Sequence, residues 1–363
     1  MSERGPSFAV CVYLLSRAAT FVTAGGIAVI SKSSIGDVLA RWDGGWYLSI
    51  VRDGYPSFVP PGSGVAAQSS LAFFPGYPLV VRTLSVPLAL SPEFVGCAVS
   101  LVAGLAATVA LWHLAARLSD EDTANRTVVL FAFLPSAFVM SMVYADALFL
   151  FLAACCLIAL VDERWVVAGA VAAAAGFVRP TAVALCLACA WGAIVAIRRG
   201  RSWRALAAPA LAPWGALLYL GYLWIHTGDP LAFFKVESRG WGNRLDIGAA
   251  NIRAVLRHLG ELRLTFFVAM LAIVVGGLSV GLWLLVRWHA PGVVVVYVSV
   301  VMGLSVLGSN PVSVPRFLMA AFPLLIPLAG RLSPRATTAV AAASGVLMGT
   351  HFFVTGLSHT FPP

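Results

Sequence analysis

Long apolar segments limit what this chain can fold into. Stretches such as residues 8–30, 262–286 and 337–357 approach or exceed the roughly 20 apolar residues needed to cross a bilayer. Only 11% of the 363 residues are charged, against about 25% in soluble domains. A membrane span must satisfy its own backbone hydrogen bonds, and the alternation of a barrel strand is absent. The sequence therefore predicts an all-α polytopic membrane protein, and residues 8–30 are its first span rather than a cleaved signal peptide.

Arginines in short loops predict the orientation of the chain, because cytoplasmic loops carry excess Lys and Arg. The strongest cluster lies within residues 198–204. Alternating inward and outward from it gives about eleven spans and two large outer loops, residues 31–92 and 227–263. We treat residues 1–363 as one domain. Within the first loop, three prolines interrupt residues 71–90, which suits an interfacial helix better than a span.

Composition argues against several other classes of function. The net charge of +9 is scattered over short loops, so we expect membrane lipids rather than nucleic acid as partners. The six cysteines lie in apolar runs and the six histidines are scattered, so we expect no metal site and no cofactor, with a divalent cation optional at most. The acidic triplet at residues 120–122 resembles a DxD motif but lies in a short inner loop, where a solvated turn explains it better.

The first outer loop has an unusual density of aromatic and charged residues. Asp43 lies beside the first span, in a setting where partial desolvation tunes a carboxylate into a general base. Aromatic walls around it suit a sugar ring. The alternative is an interfacial aromatic belt with an ion pair between Asp43 and its neighbour Arg41. The candidate substrate-binding residues around Asp43 are Arg41, Trp42, Trp46 and Tyr47.

Four more residues outside the first loop are candidates for substrate binding. Tyr144 and Asp146 lie at the outer mouth between two apolar runs, where an ionisable group needs a partner or a cavity. Arg179 and Arg316 adjoin prolines at predicted outer helix ends, and their guanidinium groups match phosphate oxygens. Simple snorkelling to the interface is the alternative for these two. The charges at residues 235–239 are more simply explained as solvated.

Four motifs carry a resemblance to a known family. In chain order they are RWDGGWYLSIVRDGY, AFFPGYP, LPSAFVMSMVYADALFLFL and GFVRPTAV. Together they resemble the PIG-V family of mannosyltransferases, particularly its bacterial members, and this family includes GPI mannosyltransferase II. Ala145-Asp146 stands where members often have Ser-Glu, and a Pro/Gly/Ser stretch at residues 57–70 precedes AFFPGYP.

The resemblance implies a GT-C-type fold, a polyprenyl-phosphate-mannose donor and a lipid or glycan acceptor. It also implies that the acidic residue of the first outer loop, Asp43, is catalytic. We expect Asp43 to act as general base in an inverting transfer, with no acid–base pair of the glycosidase kind. High Ala, Val and Arg usage favours a bacterial plasma membrane, with the active site facing outside.

Two alternatives remain at this point. A transporter or flippase for a lipid-linked sugar also combines many helices with a few intramembrane charges, although here the charges cluster on one side. A GT-C transferase of another sugar is the second alternative. The acceptor and the oligomeric state are not evident from the sequence.

Overall fold

A computed structural model describes residues 5–200, 202–243, 283–307 and 314–358, with isolated positions 249, 253, 276, 277 and 279–281. Every regular element in the described part is helical. The α-helices are α1 (Pro6–Ser31), α2 (Ile35–Leu39), α3 (Asp43–Asp53), α4 (Gly76–Leu88), α5 (Pro92–Leu118), α6 (Glu121–Ala132), α7 (Asp146–Val161), α8 (Trp165–Val178), α9 (Val183–Arg198), α10 (Ala207–Leu211), α11 (Trp214–Thr227), α12 (Ala232–Gly240), α13 (Gly292–Leu307), α14 (Val314–Leu318), α15 (Leu325–Arg331) and α16 (Pro334–Leu357).

Five helical stretches of the described residues are long and apolar enough to cross a bilayer. They are Pro6–Ser31, Pro92–Leu118, Pro180–Arg198, Trp203–Thr227 and Pro334–Leu357. Shorter apolar helices such as α7 and α8 pack between them. The prediction of an integral, all-helical membrane protein is confirmed. The count of about eleven spans stays a prediction, and most of the apolar run at 262–286 lies outside the described residues.

The segment between α1 and α5 is built from short helices. The longest, α4, has 13 residues and a length of about 20 Å, too short for a bilayer core of about 30 Å. Two contacts tie this segment to α5, one from α4 and one from α3. Tyr77 donates a hydrogen bond to the carbonyl of Gly96 (2.8 Å), and Arg52, at the end of α3, pairs with Glu93 in the first turn of α5. An interfacial position for α4 stays a prediction.

One intramembrane charge has a structural explanation in the break between α6 and α7. The chain leaves the α-helical path after Ala132 and forms a 3₁₀ turn over Ala137–Ser141. Arg17 of α1 donates hydrogen bonds to the carbonyls of Ala132 (3.1 Å) and Ala137 (2.6 Å) and to the hydroxyl of Ser141 (3.2 Å). A broken helix at membrane depth needs such partners for its freed carbonyls.

A second, smaller hydrophobic core joins the first outer segment to α11 and α12. Leu71 and Phe74 of the first segment pack with Tyr219 of α11 and Phe233 of α12, and the Tyr219 hydroxyl donates to the Leu71 carbonyl (2.9 Å). The segment between α1 and α5, which carries the first motif, therefore packs on α11 and α12, although 148 residues of chain separate Leu71 from Tyr219.

Candidate active site

Asp43 is the first residue of α3, and the turn before it fixes its position. Trp42 has the left-handed φ of 60°, which turns the chain sharply into the helix. The backbone N–H of Asp43 donates to the hydroxyl of Tyr144 (3.3 Å). The loop carrying Tyr144 is itself held in place, because the N–H of Val143 donates to the carbonyl of Leu39 (2.9 Å). The first and third motifs, about a hundred residues apart, therefore meet at Asp43.

The carboxylate of Asp43 is paired with Arg316, a partner 273 residues away. Nη1 of Arg316 lies 2.5 Å from Oδ2 of Asp43. The arginine side chain is 8% exposed and the aspartate 21%, so the carboxylate faces the open side of the pair. The guanidinium also lies over the rings of Tyr144 (5.3 Å) and Phe317 (5.4 Å). Its Nε is buried and has no hydrogen-bond partner among the described residues.

A second pair of the same kind lies beside the first. Asp146, the first residue of α7, is paired with Arg179, which ends α8 in an extended conformation before Pro180. Both side chains are largely buried. A cavity of about 10 Å³ between this pair and Arg316 has room for about one water molecule. Both arginines and the carboxylate of Asp146 line this cavity together with Thr181, and Asp43 joins the group through its pair with Arg316.

The AFFPGYP motif supports Arg179 from behind. Gly76 packs so closely on the end of α8 that an added Cβ would lie 2.7 Å from the carbonyl oxygen of Phe177 and 2.8 Å from Val178. Any larger side chain would push this helix end away. The glycine therefore lets α4 support the turn that presents Arg179.

Trp46 and Tyr47 differ in how deeply they are buried. Tyr47 is buried and packs edge-to-face on Phe73 (5.2 Å) and Tyr77 (5.1 Å). Trp46 is only partly buried, and its ring stacks on Phe73 at 6.0 Å. Trp46 is therefore free to offer a ring surface to a ligand, whereas Tyr47 supports the wall beneath it.

Arg41 and Trp42 contact the end of α16. Arg41 donates to the carbonyl of Gly356, and Nε1 of Trp42 donates to that of Thr355 (3.1 Å). Because Asp43 pairs with Arg316, the structure does not support the alternative of an Arg41–Asp43 ion pair. These contacts anchor the first motif to the last helix, and a role of either residue in binding substrate stays a prediction.

Sequence reasoning gave little weight to α12, which brings two further residues to this site. Trp241 packs edge-to-face on Trp46 (5.7 Å) and on Phe73 (5.7 Å). Glu237, four residues earlier, is half-buried. Burial raises the pKa of Glu237 to about 7, and the charge of Asp43 adds to the rise, whereas Asn243 and the charge of Arg179 oppose it. The signal that identifies this segment in the sequence is an acidic residue four positions before a tryptophan, within the predicted outer loop 227–263.

The acidic triplet has a structural role. Asp120 is the N-cap of α6, and its carboxylate accepts from the backbone N–H (2.7 Å) and the hydroxyl (3.0 Å) of Thr123. Within the described residues, no three His, Cys, Asp or Glu side chains are grouped in a way that holds a metal ion. The expectation of no metal site and no cofactor stays a prediction.

Comparisons with known proteins show which fold and which protein family this chain has. The whole fold resembles ArnT from Cupriavidus metallidurans, solved bound to undecaprenyl phosphate, with a TM-score of 0.59 and 15% identity over 98% of this chain and 76% of that one. ArnT is a GT-C glycosyltransferase, and the chain has this fold. The model of the mannosyltransferase (PIG-V) family matches residues 12–193, which include all four motifs. The chain belongs to this family and is a glycosyltransferase. No curated protein matches it.

Proposed function

We propose that the protein transfers mannose from polyprenyl-phosphate mannose to a hydroxyl of a lipid or glycan acceptor, with inversion at the anomeric carbon. The observation that carries this proposal is the pocket in which Arg179 and Arg316 lie together beside the carboxylate of Asp43. The family supports mannose as the sugar. The GT-C neighbour bound to undecaprenyl phosphate supports a polyprenyl-phosphate donor.

The two arginines bind the phosphodiester of the donor. Each is held by a carboxylate in the ligand-free protein, and Nε of Arg316 has a hydrogen still to donate. A phosphodiester placed between them accepts hydrogen bonds from both guanidinium groups, which match its oxygens in geometry and charge. The same donors stabilise the charge that grows on the phosphate as it leaves.

Asp43 acts as the general base. Its carboxylate takes the proton from the acceptor hydroxyl as the hydroxyl oxygen attacks the anomeric carbon. The bond from that carbon to the phosphate oxygen breaks, and its electron pair leaves with the polyprenyl phosphate. Asp43 then returns the proton to solvent. Because the phosphate ester is a weak base, the leaving group needs no proton, and one carboxylate suffices.

The remaining site residues position these groups. Tyr144 holds the backbone of Asp43 and Asp146 holds Arg179. Trp46 provides an aromatic surface, and Tyr47 supports it. Arg41 and Trp42 tie the first motif to α16 and so complete one side of the substrate cavity. We propose no resident metal or other cofactor, with a divalent cation optional at most, because the two guanidinium groups supply positive charge to offset the leaving phosphate.

We further propose that the site faces the outside of a bacterial plasma membrane. Arg179 precedes α9, whereas Arg198 and Arg199 lie at its other end. A helix of 16 residues separates its ends by about 24 Å. By the positive-inside rule, the arginine-rich end is cytoplasmic, which places Arg179 and its pocket on the opposite side. The division into one domain with outer segments 31–92 and 227–263 belongs to the same proposal.

The test is transfer of labelled mannose from undecaprenyl-phosphate mannose by protein in lipid nanodiscs, with host lipid extract as acceptor. We expect Asp43→Asn to reduce transfer about 10²–10⁴-fold, the usual contribution of a positioned base. Asp37→Asn is the matched control, because Asp37 only caps α2. Equal transfer by wild type and Asp43→Asn would remove Asp43 from the chemistry. The same assay with other polyprenyl-phosphate sugars tests the sugar.

A further inference from the structure

Glu237 of α12 and Trp241, the residue that follows this helix, lie beside the elements that carry the Asp43 site. The two residues are four positions apart, so they lie on the same side of the helix. Trp241 meets Trp46 and Phe73 in one cluster of three rings, with centroids 5.7–6.0 Å apart. Trp46 belongs to α3, the helix that Asp43 begins. The charges of Asp43 and Arg179 both act on Glu237, so its carboxyl lies near the two ion pairs.

Another face of α12 accounts for its packing. Phe233, Val236 and Gly240 are buried in the second hydrophobic core. Gly240 lies so close to the 3₁₀ turn at Gly64–Ala67 that an added Cβ would meet the carbonyl oxygen of Ala67 at 2.5 Å. This contact fixes the rotation of the helix. Trp241 is partly buried against this same core. Glu237 is not part of it, so its carboxyl is not needed to dock α12.

Both residues keep hydrogen-bonding capacity that the described residues do not use. In this part of the chain, Nε1 of Trp241 is buried without a hydrogen-bond partner. Glu237 accepts one side-chain hydrogen bond, from Nδ2 of Asn243 to Oε2 (2.5 Å), and among the described residues its Oε1 accepts none. A buried donor without a partner is costly, and an explanation for it is a ligand that supplies the acceptor.

We propose that Glu237, Trp241 and Trp46 form the subsite for the glycosyl group of the donor. Aromatic rings pack on the apolar face of a sugar, a carboxylate accepts hydrogen bonds from its hydroxyls, and an indole N–H donates to a hydroxyl oxygen. The location fits as well. The sugar is bonded directly to the phosphate, and the charge of Arg179, one of the two proposed phosphate ligands, acts on Glu237. This inference rests on the proposed function.

The experiment compares two probes in nanodiscs, undecaprenyl-phosphate mannose and undecaprenyl phosphate without sugar. We expect wild type to bind the mannosyl lipid about tenfold more tightly, the effect of one or two net hydrogen bonds. Glu237→Ala and Trp241→Phe should reduce this ratio toward one and leave the affinity for undecaprenyl phosphate unchanged. Glu237→Gln, which keeps an acceptor, should restore part of the ratio.

The matched control is Lys235→Ala. Lys235 lies on the same helix but pairs with Asp229 (2.5 Å), so the ratio should be that of wild type. The inference is overturned if wild type shows no preference for the mannosyl lipid, or if Glu237→Ala and Trp241→Phe both keep it. Equal weakening of both lipids would overturn it too, since that indicates a structural role. A raised KM for the acceptor with the ratio unchanged would assign the residues to the acceptor instead.

Failure of the proposed function gives a different result. If wild type binds neither lipid, or if Asp43→Asn transfers mannose as wild type does, the proposed function itself fails. If wild type binds undecaprenyl phosphate and Asp43→Asn abolishes transfer, the proposed function stands. The ratio of affinities for the two lipids in the Glu237 and Trp241 variants then tests only the proposed sugar subsite.

Discussion

Arg17 and Arg316 are both buried arginines, but their surroundings differ. Among the described residues, Arg17 donates only to neutral oxygens: the Ser16 hydroxyl of its own helix, and two carbonyls and the Ser141 hydroxyl at the break after α6. Arg316 is paired with a carboxylate, lies beside a second arginine–carboxylate pair, and keeps its Nε unpartnered. An arginine whose hydrogens are bonded to unpaired backbone carbonyls has none left for a ligand. An arginine paired with a carboxylate can exchange that carboxylate for an incoming anion.

The comparison also bears on the transporter alternative. A transporter needs polar groups along a path near the midplane, and Arg17 of α1 is a buried charge that would suit such a path. Its hydrogen bonds instead close the α6–α7 break. In the described part of the chain, the other buried charges named here, Asp146, Arg179 and Arg316, line one cavity, and Asp43 is paired with Arg316 beside it. This arrangement favours chemistry at one site over passage through the protein.

The largest expected effect that sharpens this comparison is on Arg316. Arg316→Lys keeps the charge but loses the planar fork and Nε. We expect mannose transfer to fall about 10²–10³-fold, as when one donor to a developing anion is lost, while the melting temperature changes little. Transfer assays and thermal unfolding of the same nanodisc preparation measure both. Near-normal transfer by the folded variant would break the contrast with Arg17.

Replacing Arg17 should lower the stability of the protein rather than its activity. Arg17→Met leaves the carbonyls of Ala132 and Ala137 without their donor, at a cost of about 1–3 kcal/mol for each buried group. We expect a lower melting temperature and a lower yield of folded protein. Specific activity per folded molecule should stay near wild type, because Arg17 does not touch the pocket. Loss of activity in protein with an unchanged melting temperature would contradict a structural role.

These contrasts show what the sequence can and cannot predict. Apolar length alone predicted the first span as 8–30, and the structure has Pro6–Ser31, because bilayer thickness sets helix length. The pairing of Asp43 with Arg316 was beyond reach, since 273 residues separate them and local pattern carries no information on such contacts. The role of Arg17 depends on a helix break on another segment, and α12 was discounted because exposed loop charges are usually solvated.

A smaller effect is expected at the second pair. Arg179→Lys retains a cation next to Asp146 but loses the bidentate geometry toward phosphate. We expect transfer to fall about tenfold, the value of one charge-assisted hydrogen bond of about 1.4 kcal/mol, with the affinity for undecaprenyl phosphate reduced by a similar factor. Arg198→Lys, at the other end of α9, is the control. Wild-type affinity and turnover in Arg179→Lys would remove Arg179 from the site.

The smallest effect concerns Glu237, a half-buried carboxyl with no ion pair to another described residue. Its pKa of about 7 in the folded protein lies above the value of about 4.3 in an unfolded chain. The folded state therefore holds the proton more tightly, so this contribution to stability is complete below about pH 4.3 and is lost as the pH rises through about 7. We expect the melting temperature of wild type to fall between about pH 4.3 and 7 and to level off above that, because in this range the folded state holds a proton that the unfolded chain has released.

Replacement of the carboxyl isolates its contribution. The charged groups that act on Glu237 are Asp43 of α3 and Arg179 at the end of α8. The 3₁₀ turns packed on α12 carry none, and α11 adds His226 and tyrosines. Glu237→Gln keeps all of these groups and removes only the titrating carboxyl, so its melting temperature should fall less over the same pH range. Identical pH profiles would mean that Glu237 ionises at its ordinary pKa. It would then be a solvated loop charge, as the sequence suggested. It would also take no part in the site where Arg316, unlike Arg17, is paired with a carboxylate that a ligand can replace.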